Sequence, residues 1–259
     1  MAGSTTKERL SVAIDPPIAR ITLDHPPLNV IDIPMMDDFS AALVEIEEQA
    51  HVSTIIICGT GKSFSAGVDV AAHTPDKVEQ MLTKFHGLIR SLVASKKVTV
   101  AAVHGTCLGG GAELAMVCDL VFTTEDALWS FPEIKLGCYP PVACAVLAAL
   151  IGHKRAIDLI LTGRSISGGE AAQFGLATQA VPQARLDSSV EDCLKRLLAL
   201  SPAALRVAKQ AFYGWDAAHF DKGLARAEKL YLEELIKTID AQEGIRAFME
   251  KRTPKWLGK

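Results

Sequence analysis

The segment VTVAAVHGTCLGGGAELAMVCDLVF, Val98 to Phe122, decides the fold. Its first six residues, Val98 to Val103, are all β-branched or alanine, the composition of a strand covered on both faces. Gly105 ends that run. Gly109, Gly110 and Gly111 then let the backbone come close to a ligand, and Ala112 to Cys118 has the composition of a helix that starts at the turn. A helix start leaves N–H groups unpaired, and those groups, backed by the helix dipole, stabilise negative charge. Glu113 stands three residues after Gly110, on the same face of the first turn. The segment therefore reads as a buried strand, a glycine turn and a helix, with an oxyanion donor beside a carboxylate. Packing alone also accounts for such a turn, since glycines permit close helix–strand contact and a first-turn glutamate complements the dipole.

The surrounding chain has 259 residues, 49% of them hydrophobic, which suits one large domain or two small ones around a substantial core. A net charge of −3 lacks the basic excess that phosphate backbones require, so nucleic acid is not expected as a partner. The six cysteines, Cys58, Cys107, Cys118, Cys138, Cys144 and Cys193, form no C-x-x-C pair, and most lie in apolar segments, as reduced thiols in the cytoplasm do. The opening residues MAGSTTKERL hold no apolar core of signal-peptide length, and no apolar run reaches the ~20 residues of a membrane span. Together these features predict a soluble, unprocessed cytoplasmic protein.

Before the central segment, Leu10 to Ile14 and Ile18 to Leu23 form a hairpin pattern around Asp15-Pro16-Pro17. Pro34 can open a helix that ends near Ala50 and turns Phe39, Leu43, Val44 and Ile46 to the core. Thr54 to Cys58 is a buried strand. The glycines after it do not make a phosphate loop, because Ile56 occupies the position of the first glycine, and Ser63 likewise breaks a nucleophile elbow around Ser65. FSAGVD, from Phe64 to Asp69, is placed in a loop at the strand's C-terminal end, where open parallel sheets present ligand sites. From Pro75 to Ala94 the apolar residues recur at three and four, an amphipathic helix that carries His86 as a surface or packing residue.

After the central segment, Leu120 to Thr123 and Leu128 to Phe131 are extended, and Glu133 follows Pro132 in the loop FPEIKLGCYPP, where it reads as a solvated or a site carboxylate. Beyond Pro141 the chain is helical over 142–150, 153–161, 168–174, 188–200, 202–212, 220–239 and 241–251, broken by one strand at 177–181. The spacing puts Leu224, Leu230, Tyr231 and Leu235 in the core. No internal repeat or long linker interrupts the chain, and the organisation expected is an α/β core over 1–195 with a helical region over 196–259.

FSAGVD, HGTCLGGGAELAMVCD and FPEIKLG stand in this order, and the chain resembles the enoyl-CoA hydratase/isomerase (crotonase) superfamily over nearly its whole length. The resemblance implies an α/β fold, a spiral of ββα units with a C-terminal helical trimerisation region, and a homotrimer or dimer of trimers. It implies an oxyanion hole from the N–H groups of Val68 and Gly110, catalytic roles for Glu113 and Glu133, and an acyl-CoA thioester substrate, with coenzyme A as part of that substrate and no separate cofactor or metal. Ala66, Gly109 and Lys251 would contact the coenzyme A portion or the thioester, Ala66 on the adenine side and Lys251 near the phosphates. Retention of two glutamates favours hydration over isomerisation. The segment CYPPVACA, from Cys138 to Ala145, departs from the G-x-x-P-x-x-G-G-T-Q-R-L pattern of many simple hydratases and resembles that of cyclohexa-1,5-diene-1-carbonyl-CoA hydratases. Tyr139 and Pro140 would then offer a flat surface to a cyclic acyl group. The alternatives are a general enoyl-CoA hydratase or isomerase, or a non-catalytic acyl-CoA or RNA-binding module.

Overall fold

A computed structural model describes residues 3–6, 9–213 and 217–259, so the opening segment MAGSTTKERL lies partly outside the described residues. Strands β1 (Gly3–Thr6), β2 (Leu10–Asp15) and β3 (Ile18–Leu23) form an antiparallel meander with the two prolines in its second turn. Helix α1 (Ile33–Glu48) follows, capped by Asp32, whose Oδ1 accepts from the Met35 N–H at 3.0 Å. Met35, Met36, Phe39, Leu43 and Ile46 bury one face of it. Val44 is exposed instead of core-facing, because a helix turns about 100° from residue 43 to 44.

A unit of two strands and a helix then repeats three times. Strands β4 (Thr54–Gly59) and β5 (Ser63–Ser65) lead through a 3-10 turn (Val70–His73) to α2 (Val78–Val93). Next come β6 (Val98–Val103), β7 (Thr106–Leu108) and α3 (Gly110–Met116). In the third unit β8 (Leu120–Thr124), β9 (Leu128–Ser130) and a 3-10 turn (Pro132–Leu136) precede α4 (Pro141–Ile151). The first strand of each unit joins a seven-stranded sheet of order β1-β2-β3-β4-β6-β8-β11, where β11 is Gln179–Val181, and the second joins a four-stranded sheet of order β10-β9-β7-β5, where β10 is Ser165–Ser167. Pairing within the repeat is parallel in both sheets, as helical crossovers require.

The chain continues with α5 (His153–Thr162), β10 (Ser165–Ser167), α6 (Gly168–Phe174), β11 (Gln179–Val181), α7 (Leu186–Leu198), α8 (Pro202–Tyr213), α9 (Ala217–Glu233) and α10 (Ile239–Met249). Helix α6 opens on a complete capping box between Ser167 and Glu170. Helix α9 ends at Glu233, short of the expected Ile239, and a separate 3-10 turn (Leu235–Lys237) intervenes. Leu224 and Tyr231 are buried on α9, whereas Leu230 is partly exposed.

Both faces of the large sheet are covered, which is why its strands are continuous apolar runs. Ile55, Ile57, Ala101 and Val103 face the main core with α1 and α2, while Ile56, Val100, Ala102 and Phe122 face Val190 and Leu194 of α7. FSAGVD is not all loop: Phe64 and Ser65 belong to β5. The central segment likewise holds an extra short strand, β7, between the buried strand and the helix, and α3 starts two residues before Ala112.

Candidate active site

The ends of β5 and β7 bring two loops together at one wall of a cavity of about 480 Å³. Gly109 has φ +50°, and a Cβ there would stand 2.6 Å from Glu133 Oε1. A Cβ on Gly110 would stand 2.6 Å from Val68 Cγ2 and 3.4 Å from the Val68 nitrogen. Only glycine permits both approaches. The neighbouring backbone bonds are otherwise spent: Ile31 N–H donates to Gly67 O at 2.9 Å, Asp69 N–H to Ile31 O at 3.1 Å and Gly109 N–H to Ser130 O at 2.9 Å. Val68 and Gly110 line the cavity, and among the described contacts neither N–H is given to a backbone carbonyl.

Glu113 lies in the first turn of α3 and is buried. Its Oε1 accepts from the Ala143 N–H at 2.9 Å, and the Val142 N–H adds a second bond, so the start of α4 points at this carboxylate. Burial pushes its pKa up to about 7, and the two backbone donors act against that push. Glu133 stands on the 3-10 turn Pro132–Leu136, which α10 supports so closely that a Cβ on Gly244 would meet Leu136 O at 2.1 Å. Burial and then the neighbouring Glu113 charge hold the Glu133 pKa well above the carboxylate range, and its buried Oε2 has no hydrogen-bond partner. The two carboxyl groups thus share one cavity in opposite surroundings. One receives N–H donors, and the other receives none at Oε2, which favours the neutral acid there.

Residues 14–259 match the model of the enoyl-CoA hydratase/isomerase family. The chain belongs to this family. It is 35% identical over 258 residues to a cyclohexa-1,5-dienecarbonyl-CoA hydratase of Thauera aromatica, covering 99% of both proteins. A probable enoyl-CoA hydratase of Bacillus subtilis (strain 168) is 32% identical over 256 residues, 96% of this chain and 99% of that protein. The crystal structure of an enoyl-CoA hydratase from Mycobacterium avium subsp. paratuberculosis K-10 superposes with a TM-score of 0.87 at 27% identity, covering 97% of this chain and 99% of that one.

This enoyl-CoA hydratase/isomerase family member brings Ala66, Val68, Gly109, Gly110, Glu113, Glu133 and Tyr139 to one cavity. It does not bring two other expected residues there. Pro140 is buried as the residue before α4, and its neighbour Pro141 lines the wall. Lys251 is exposed outside the lining, at φ +53°, and Arg252 lines the cavity in its place, held by Glu243 at 2.6 and 2.9 Å. The Tyr139 hydroxyl donates to Ala227 O at 2.6 Å, and its ring meets Tyr231 edge-on at 5.3 Å. Tyr231 and His86 were legible in the sequence only as packing positions, since helical spacing cannot separate a core wall from a cavity wall. Both line the cavity. All six cysteines are free thiols, and among the described residues no helix is long and apolar enough to cross a membrane.

Proposed function

We propose that this protein adds water reversibly to the double bond of a conjugated enoyl-CoA thioester, and that its acyl group is cyclic, of the cyclohexa-1,5-diene-1-carbonyl type. The observation that carries the reaction is the pair of buried carboxyl groups in opposite surroundings beside the Val68 and Gly110 N–H groups. The thioester oxygen sits between those two donors. Glu113, kept ionisable by the Val142 and Ala143 N–H groups, takes a proton from water as its oxygen bonds to the β-carbon. The π electrons move to the thioester oxygen, where the two N–H groups stabilise the enolate by several kcal/mol. Glu133, neutral in its donor-poor setting, delivers its proton to carbon as the enolate collapses. Proton exchange with solvent then resets the pair. The sequence adds the elements of water with no net gain or loss of electrons, so it calls for no redox group and no metal, and coenzyme A enters as part of the substrate.

Support for a ring comes from the flat, fixed wall that Tyr139, Tyr231 and Pro141 give the cavity and from the likeness to the Thauera aromatica enzyme. Pro140 contributes from behind by setting the start of α4. Ala66 and Gly109 border the path of the thioester arm, while Lys251, outside the lining, stands free to meet phosphate at the surface. The test compares kcat/KM on cyclohexa-1,5-diene-1-carbonyl-CoA with that on crotonyl-CoA, with products identified by mass. A gain of one water and a clear preference for the ring are expected. Equal or better efficiency on the linear thioester removes the cyclic assignment, and a product of unchanged mass removes hydration.

A further inference from the structure

The α2 side of the cavity is made by Met81, Leu82, Phe85 and His86. Three of these are apolar, and the fourth is a fully buried imidazole. Its Nδ1 lies 2.7 Å from Glu228 Oε1 on α9, while Nε2 has no hydrogen-bond partner. Arg90 grips the same carboxylate through both oxygens, at 3.1 and 2.9 Å. Against the upward push of partial burial, the bonds from His86 and Arg90 hold Glu228 down to about 2. A carboxylate only accepts, so Nδ1 carries the hydrogen and the ring is fixed with Nε2 left for another partner. His86 Nε2 and Glu133 Oε2 are both buried and unpartnered, and both residues line the same cavity.

A purely hydrocarbon acyl group is served as well by leucine or phenylalanine at position 86, neither of which leaves a buried polar atom unpaired. We infer that the preferred acyl group carries a hydroxyl remote from the thioester, and that His86 Nε2 is the hydrogen-bond partner of that hydroxyl. A hydroxyl suits Nε2 because it can both donate and accept. The Tyr231 hydroxyl, buried on the α9 wall beside the Cys138 thiol, adds a second polar group to the same cavity. This inference rests on the acyl-CoA reading of the site and narrows it to an oxygenated ring.

The experiment measures competitive inhibition by saturated thioesters that cannot react: cyclohexanecarbonyl-CoA and its 3-hydroxy and 4-hydroxy derivatives. One hydroxylated thioester should bind about tenfold more tightly than the parent, the size of one well-placed hydrogen bond. That preference should vanish in His86→Phe and return in part in His86→Gln. Equal inhibition constants for all three thioesters with the unaltered protein would overturn the inference without recourse to any variant. So would a preference that survives His86→Phe. If the parent thioester itself does not compete with substrate, the acyl-CoA reading fails, and the inference fails with it.

Discussion

Glu113 and Glu133 are the same residue type in the same cavity, and what separates them is who donates to them. We expect Glu113→Gln and Glu133→Gln each to lower kcat by at least ~10² while product binding stays nearly unchanged, the usual scale for a general acid or base. Steady-state kinetics with a parallel binding titration checks this, and near-normal turnover in either variant would break the two-carboxylate scheme. The pH profile of kcat/KM should be bell-shaped. It falls below about 7 as Glu113 gains a proton, and it falls again at higher pH as Glu133 loses one. Stability moves with a definite sign as well. Between the ordinary carboxylate range and about 7, folded Glu113 holds a proton that the unfolded chain has released. Stability therefore declines as pH rises through that window, and Glu113→Gln should lessen the decline in denaturant titrations at pH 5 and pH 8. Gly109→Ala pushes a methyl against Glu133 Oε1 and places a side chain at φ +50°. It should cost kcat about 10²–10³ with the fold retained, as seen by circular dichroism alongside activity.

At the scale of elements, Tyr139 ties the segment that leads into α4 to α9. Removing its hydroxyl in Tyr139→Phe leaves the Ala227 carbonyl without that donor, at a cost of about 1–2 kcal/mol in thermal or urea unfolding. The helices were the legible part of this fold, because α1, α2 and α6 announce themselves by period, by Pro34 and by the Ser167 cap. Strands β5, β7 and β10 were not, since each is three residues long and a three-residue run shows no period. Glu113 could be placed from its distance to the glycine turn, a local relation. Glu133 could not be told from a solvated loop carboxylate by spacing alone, because the turn that carries it is backed by α10, more than a hundred residues further along the chain. The same holds for His86, whose partner Glu228 lies 142 residues away.

For the whole molecule, the side chains of Leu161, Val207, Phe212, Phe248 and Trp256 leave apolar surface on and beyond the C-terminal helices. We propose that copies of this chain cover it, and light scattering at micromolar concentration should give three or six times the 27.7 kDa chain mass. A monomeric mass would reject that. The small sheet carries a different consequence. Val68 and Gly110 follow neighbouring strands, β5 and β7, so the placing of the two donors depends on the pairing of those two strands. Strands of three residues open more readily than the six-residue strands of the large sheet. Amide hydrogen exchange should therefore run faster at Cys107 than at Ala101, and low denaturant should silence the enzyme while the large sheet still protects its amides.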